Sequence, residues 1–279
     1  MEIPLTLVCN NNCISCIRDR SQPSGHVHWK TIKQCIDRLP KDCHTVGISG
    51  GEPTISPNFF RAMSYIRDTR PDTLLFLVSN GRMFSYPEFA ERLSNLRIKN
   101  FRVGIAIYSH LPSVHDSVTM VKGSWEQTLR GIKALTSLGI RVELRVIVSR
   151  LNYASLDETA RFISRNLAGV ERVVFINMKY TGNALINLKR IFIRYSKLVP
   201  HTSRAADTLL NAGIPVKLFH FPLCTLPEGY REIAKGVTKQ GPELAFAKAC
   251  KTCGSRQDCP MIWKSYLNLS GEKEFTPIQ

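Results

Sequence analysis

Three cysteines, Cys9, Cys13 and Cys16, stand at spacings of four and three in the stretch CNNNCISC, directly after the apolar run IPLTLV. A redox Cys-x-x-Cys pair accounts for Cys13 and Cys16 but leaves Cys9 without a role. A structural zinc takes four ligands, often as two separated pairs. No fourth ligand stands beside these three; His26 and His28 are the next candidates, ten or more residues on. Three close thiolates suit an iron–sulfur cube with one iron left open to bind and activate another molecule. Zinc is the competing reading.

A second stretch, ISGGEPT, places Gly50, Gly51, Glu52 and Pro53 in a turn. Glycines adopt backbone geometries that other residues resist. They are expected here to let a ligand approach the backbone, while Glu52 accepts from an amine. A third set lies near the end of the chain. Cys224 follows FPL, and Cys250, Cys253 and Cys259 stand at spacings of three and six in ACKTCGSRQDCP. Four thiolates in a loop-rich segment are either structural zinc or a further iron–sulfur cluster. Cys35 shares helical spacing with Ile32, Ile36 and Leu39 and is expected in the core; Cys43 precedes the second strand, away from the chemistry.

Short β-branched runs at 3–8, 44–49, 73–78, 101–108, 141–149, 171–178 and 216–221 alternate with amphipathic stretches at 29–39, 58–67, 87–96, 123–138, 156–167 and 203–212. Strands alternating with helices of this length mean βαβ units and a parallel sheet. The expected fold is α/β: a partial (β/α)6 TIM-like barrel over residues 1–221, followed by a small Cys-rich C-terminal extension over 222–279. In such sheets chemistry sits on loops at the C-terminal ends of the strands. CNNNCISC follows the first strand and ISGGEPT ends the second, so the two motifs share one face.

That pair of motifs resembles the radical S-adenosylmethionine (radical SAM) superfamily. The resemblance spans the barrel, and it implies that Cys9, Cys13 and Cys16 bind a 4Fe–4S cluster and that Gly50–Pro53 holds the SAM amino group. It further implies SAM contacts from Ser79 and Asn80 after the third strand, from Tyr108 and Ser109 after the fourth, from Arg145 to the SAM carboxylate, and from Asn183 in Gly-Asn-Ala beside the adenine. Asn152 and Asn177 are expected on the same rim; His115 and Asp116 are expected to cap and orient the loop PSVHDSVTMVKGSWEQT. The tail resembles the auxiliary-cluster (twitch or shortened SPASM) extensions of that superfamily. This implies a second 4Fe–4S cluster on Cys224, Cys250, Cys253 and Cys259. The whole is similar to the His-Xaa-Ser-system radical SAM maturases and the molybdenum-cofactor biosynthesis protein A-like enzymes.

The implied activity is reductive cleavage of SAM to a 5′-deoxyadenosyl radical that abstracts a substrate hydrogen, in peptide or protein maturation. The implied electron donor is a flavodoxin or ferredoxin. The net charge of +16 makes a nucleotide or RNA substrate the alternative, and a non-catalytic zinc and RNA-binding module a further one. With 43% hydrophobic and 22% charged residues the chain reads as a globular protein. Charged residues interrupt every apolar run, so no membrane span or membrane partner is expected, and cytoplasm is the expected compartment. There, nine cysteines are metal ligands or catalytic thiols rather than disulfides. With the first strand starting at residue 3, no leader-binding domain is expected before the barrel.

Overall fold

The computed structural model describes residues 1–19, 24–238 and 241–279. Seven strands, β1 (Glu2–Thr6), β2 (Thr45–Gly50), β3 (Leu74–Ser79), β4 (Phe101–Ala106), β5 (Arg141–Val148), β6 (Val170–Asn177) and β7 (Val216–Phe219), form one sheet in chain order. Every neighbouring pair is parallel. β1 and β7 are the sheet's two edges, so the barrel is open.

Helices α1 (Trp29–Asp37), α2 (Phe59–Thr69), α3 (Pro87–Ser94), α4 (Pro112–Thr119), α5 (Ser124–Ser137) and α6 (Leu156–Asn166) cover the outside. Two single turns, α7 (Asn183–Ile186) and α8 (Leu188–Ile191), lead into α9 (Tyr195–Asn211). The alternation along β5 shows how the layers divide. Val142, Leu144, Val146 and Val148 are fully buried, whereas Ile147, on the other face, lines a central cavity.

Three local readings need correction. Cys35 is exposed: Ile32, Ile36 and Leu39 form the buried stripe of α1, and the thiol sits outside it. The segment PSVHDSVT is a helix, α4, rather than a loop. α9 begins at Tyr195 and carries Pro200 inside it. Its buried stripe, which includes Tyr195, Leu198, Val199 and Thr202, outweighs the backbone bond that Pro200 cannot donate.

The tail is not a separate body. β8 (Leu244–Ala245) pairs antiparallel with β9 (Ile262–Trp263), and α10 (Lys264–Ser270) follows. Leu244, Ala247, Ile262, Trp263, Tyr266 and Phe275 belong to the same apolar cluster as the barrel strands. Tyr266 packs on Tyr195 of α9 with ring centroids 4.7 Å apart, and its hydroxyl accepts from the Tyr195 N–H at 3.0 Å. The core therefore runs unbroken across the expected boundary at 221/222. Among the described residues, no helix is long and apolar enough to cross a membrane.

Candidate active site

The C-terminal ends of the strands surround a cavity of about 350 Å³. Cys9, Cys13 and Cys16 form part of its wall, as do Gly51, Glu52, Ser79, Asn80 and Tyr108. The cysteine loop is held from three sides. From α4, the Thr119 carbonyl accepts the Asn12 N–H at 2.9 Å and the Val118 carbonyl the Ile14 N–H at 2.9 Å. From α7, Ala184 N–H donates to the Cys16 carbonyl at 3.1 Å, and Asn183 Nδ2 to the Cys13 carbonyl at 3.2 Å. From the short turn after β3, Arg82 donates to Asn11 Oδ1 at 2.8 Å and to the Asn10 carbonyl, while its Nε donates to Gln127 Oε1 at 2.7 Å.

The turn after β2 packs closely on the chain that leads from β1 into the cysteine loop. A Cβ on Gly50 or on Gly51 would stand 2.1 Å from the carbonyl oxygen of Thr6 or Val8. The glycines admit the protein's own backbone at Thr6 and Val8, and Gly51 also lines the cavity. In return Gly51 N–H donates to Thr6 O at 2.7 Å and Glu52 N–H to Val8 O at 2.9 Å. The cysteine loop is thereby tied to the turn that carries Glu52.

Glu52 is buried. Its Oε1 accepts from Thr54 N–H at 3.2 Å, Thr54 Oγ1 at 2.5 Å and Ser79 Oγ at 2.8 Å; its Oε2 accepts from Asn80 N–H at 2.7 Å. Burial pushes the carboxyl above its ordinary value, opposed by these hydrogen bonds. With one donor against three on Oε1, Oε2 keeps acceptor capacity, and the residue lines the cavity. Pro53 starts the short turn Pro53–Ile55 beneath it.

Tyr108 lies beside the cysteines, its hydroxyl 3.9 Å from Cys13 Sγ. Burial, then the neighbouring Cys13, hold its phenol well above the ordinary value, so it stays protonated. His115 also lines the cavity. Its Nδ1 accepts the Tyr108 N–H at 3.3 Å, and burial lowers its pKa to about 4. The imidazole is neutral near pH 7, with its proton on Nε2. Asp116 caps α5 as expected, accepting from Gly123 N–H at 2.6 Å, Ser124 Oγ at 2.8 Å and Trp125 N–H at 2.9 Å.

Other expected contacts fall elsewhere. Arg145 shares the face of β5 that carries the cavity-lining Ile147 but lies two residues nearer the strand's N-terminal end, outside the cavity lining, its Nε 3.2 Å from Glu143 and its guanidinium over Phe76, since the ring and Gly104 leave it space there. Ser109 is fully buried and accepts the Leu111 N–H at 3.1 Å. Asn183 braces the cysteine loop, and Gly182 beside it is pressed against Arg18, where a Cβ would meet the carbonyl carbon at 2.3 Å. Asn152 bridges strand ends, donating to the Tyr108 and Ile147 carbonyls at 2.8 and 2.9 Å.

Part of the cavity lining was not foreseen. Lys179 after β6, and Thr238, Glu243 and Trp263 from the tail, complete the cavity. Lys179 Nζ pairs with Glu243 at 2.7 Å. Their types and positions carry no spacing signal in the sequence; only the tail's return over the barrel brings them here.

The four tail cysteines, Cys224, Cys250, Cys253 and Cys259, line one small cavity of their own, closed by Thr276 and Ile278. Burial and then the sulfur of Cys259 push the Cys224 thiol up to about 11. Among the described residues no three His, Cys, Asp or Glu side chains stand in an arrangement that would by itself hold a metal ion. The cysteines of both sets nonetheless face one space each, and sulfur-only donor sets of three and four suit iron–sulfur clusters.

An open parallel barrel with three thiols and a buried, hydrogen-bonded carboxylate on one cavity defines an α/β enzyme class built around a cluster at the strand ends. The chain belongs to the radical SAM superfamily, whose family model matches residues 3–163. Membership implies a 4Fe–4S cluster and SAM as cofactors. The chain is 30% identical over 164 residues to mycofactocin maturase MftC of Mycobacterium tuberculosis, covering 58% of this chain and 40% of that protein. It is 28% identical over 174 residues to the AdoMet-dependent heme synthase of Methanosarcina barkeri, covering 61% and 48%. The chain thus spans less than half the length of both relatives. In fold it is similar to SuiB of Streptococcus suis bound to S-adenosylmethionine, with TM-score 0.66 and 13% identity over 100% of this chain and 76% of that one. SuiB bound to its precursor peptide SuiA aligns with TM-score 0.61 and 14% identity over 78% and 48%.

Proposed function

We propose that the protein is a radical SAM enzyme acting in peptide or protein maturation. The observation that carries the chemistry is the joint presence of Cys9, Cys13, Cys16 and Glu52 on one cavity. A 4Fe–4S cluster held by Cys9, Cys13 and Cys16 would, together with SAM, supply one-electron reductive cleavage and hydrogen abstraction from an unactivated carbon. The chain's part is binding, orientation and exclusion of water. Cys9, Cys13 and Cys16 hold the cluster. Glu52 Oε2 accepts from the SAM ammonium, with Ser79 and Asn80 fixing the carboxylate's orientation. Tyr108 and neutral His115 shape the wall beside the cysteines and neither takes up a proton near pH 7. Lys179, Glu243 and Trp263 face the substrate side.

Peptide maturation is supported by the maturase relative and by the precursor peptide that SuiB binds. The Cys-rich segment 222–279 is proposed to hold an auxiliary 4Fe–4S cluster on Cys224, Cys250, Cys253 and Cys259, supported by their shared cavity. The charge of +16 favours a nucleotide or RNA substrate as a second reading.

The test is anaerobic reconstitution followed by assay of SAM cleavage to 5′-deoxyadenosine. The triple variant Cys9→Ala/Cys13→Ala/Cys16→Ala is expected to lose cleavage while the tail still binds metal. Cleavage by that variant at the wild-type rate overturns the assignment. A mass change on a candidate precursor peptide supports the peptide reading; a mobility shift with RNA, and none with peptide, supports the second.

A further inference from the structure

α2 commits Phe59, Ala62, Met63 and Ile66 to the core, which turns Phe60, Arg61 and Tyr65 toward the outside of the barrel. Trp29 of α1 and Arg92 of α3 stand on either side of them, and the three helices form an open groove of about 620 Å³. Two guanidiniums lie over aromatic rings in this groove. Arg61 is 4.1 Å from the ring centroid of Trp29, and Arg92 is 4.0 Å from that of Phe60. A guanidinium carries its donors in its own plane. A ring against its face therefore holds it in place and leaves its N–H edge free to bond.

Neither arginine has a carboxylate partner among the described residues. The groove's other cation, Lys33, pairs with Asp37 at 2.7 Å, and its one acidic lining residue, Asp68, pairs with Arg67 at 2.7 Å. Two fixed, unpaired guanidiniums on an exposed face are a site for anions, and Arg–carboxylate pairs are among the strong charge-assisted bonds. The surroundings narrow the kind of anion. Trp29, Phe60 and Tyr65 are each already covered by a cation, which takes the face a nucleobase would stack on. Asp68, and the exposed Glu88 and Glu91 of α3, repel a chain charged at every unit. Two carboxylates spaced along a chain avoid them, and Phe60 and Leu96 offer apolar surface between.

We propose that the groove between α1, α2 and α3 binds a peptide segment of mixed acidic and apolar residues, with Arg61 and Arg92 each taking one of its carboxylates. The proposal rests on the peptide reading of the function given above and adds a second contact for that substrate, outside the cavity. In a βα unit the helix returns antiparallel to its strand, so the N-terminal end of a helix is the end nearer the cavity. Trp29 is the first residue of α1 and Arg61 the third of α2, whereas Arg92 lies in the last turn of α3. A segment laid along the groove thus has its Arg61 end on the cavity side. It tethers the peptide there without occupying the space that the cysteines and Glu52 share.

The experiment uses the whole reconstituted protein and three labelled probes: a short acetylated and amidated peptide of alternating Glu and Leu, its Gln and Leu counterpart, and a single-stranded oligouridylate. Fluorescence anisotropy reads binding. The groove variant is Arg61→Gln/Arg92→Gln. The control is Arg130→Gln/Lys133→Gln, which removes the same charge from exposed positions on α5. The acidic peptide is expected to bind the wild type on the order of tenfold more tightly than its Gln counterpart, and the groove variant is expected to lose that margin. The control should keep it, and both variants should unfold at the wild-type midpoint. Failure of the acidic peptide to bind the wild type overturns the proposal. So does an equal loss in both variants, which would make the attraction one of net charge, or a loss confined to oligouridylate, which would make the groove a nucleic-acid site. SAM cleavage under dithionite should be unchanged in the groove variant. Peptide binding that this variant loses, in a protein that never cleaves SAM, upholds the groove and sinks the functional reading; cleavage without peptide binding does the reverse.

Discussion

Trp263, carried by the Cys-rich tail, donates its indole N–H to the backbone carbonyl of Asn177 at the end of β6, at 3.2 Å. The same indole stacks on His220 with ring centroids 4.0 Å apart and forms part of the cavity wall. One side chain thus anchors the tail to the barrel and faces the proposed chemistry. The cysteine-bearing tail and the active cavity are mechanically joined through it.

Trp263→Phe keeps most of the ring and deletes the donor, leaving the Asn177 carbonyl buried without it. A loss of about 1–3 kcal/mol in unfolding free energy is expected for that orphaned acceptor. Trp263→Ala removes the ring as well and should cost about 3–5 kcal/mol. Chemical denaturation measures both. If each variant unfolds at the wild-type midpoint, the tail is not anchored through this residue.

Glu52 has a structural part as well as its proposed ligand contact: it accepts from Thr54, Ser79 and Asn80. Replacing it by Ala strands Thr54, Ser79 and Asn80 N–H, so a stability loss should accompany the binding loss. A hydrogen bond to a charged group contributes about 1.5–3 kcal/mol, so SAM affinity should fall roughly tenfold to a hundredfold. Thr54→Val removes one internal donor and leaves Oε2 untouched; its SAM affinity should stay close to wild type. Calorimetric titration separates the two. Equal SAM affinity in Glu52→Ala and wild type would refute the ammonium contact.

The strands were legible as short β-branched and apolar runs, with period-two alternation clearest in β3: Leu75, Leu77 and Ser79 are buried between the half-buried Phe76 and Val78. β1 stops at Thr6 rather than running on to residue 8, because the register shifts between Pro4 and Thr6 where Gly50 and Gly51 draw the chain in. That is a tertiary contact no local pattern announces. The cysteines and Glu52 were legible because their chemistry needs those residue types at those spacings. Arg145 was misplaced because alternation gives the face of a strand but not the height along it. Asn183 was placed near the right loop, but it holds the cysteine backbone where a nucleobase contact was expected. Arg82, Lys179, Glu243 and Trp263 gave no signal, since each acts through a partner more than sixty residues away, or across a gap that only the folded tail closes.

Histidine burial sets an acid-side weakness. His220 is fully buried, with Nε2 accepting from Thr238 N–H at 2.9 Å and Nδ1 without a partner among the described residues. Burial, and then the charge of Arg145, lower its pKa from 6.5 to about 3. The unfolded chain takes up that proton near pH 6.5 and the folded one does not. Stability from this group is therefore full above about pH 6.5 and declines as pH falls toward 3. His115 acts in the same direction. At pH 5 the loss is about 2 kcal/mol for each such histidine. His220→Gln should flatten the fall in unfolding free energy between pH 7 and pH 5. A slope equal to that of the wild type would show that His220 is not held neutral.

The tail's metal is decided by counting iron. Two 4Fe–4S clusters give about eight irons per chain, whereas one cluster with a zinc gives about four and one zinc. Eight are expected, because the four tail thiols face a single space and the donor set is sulfur alone. Leu244, Ile262, Trp263, Tyr266 and Phe275 are buried independently of those thiols, so the tail has an apolar hold on the barrel without its metal. Replacing Cys224, Cys250, Cys253 and Cys259 together by Ser should therefore halve the iron and loosen the segment around 250–259. β9, α10 and SAM cleavage at the first site should be preserved. Hydrogen exchange reads the first effect and the cleavage assay the second. About four irons and one zinc in the wild type would make the tail a zinc site. Loss of protection spreading into α9 would show that metal, rather than the aromatic packing of Tyr266 on Tyr195, holds the tail in place.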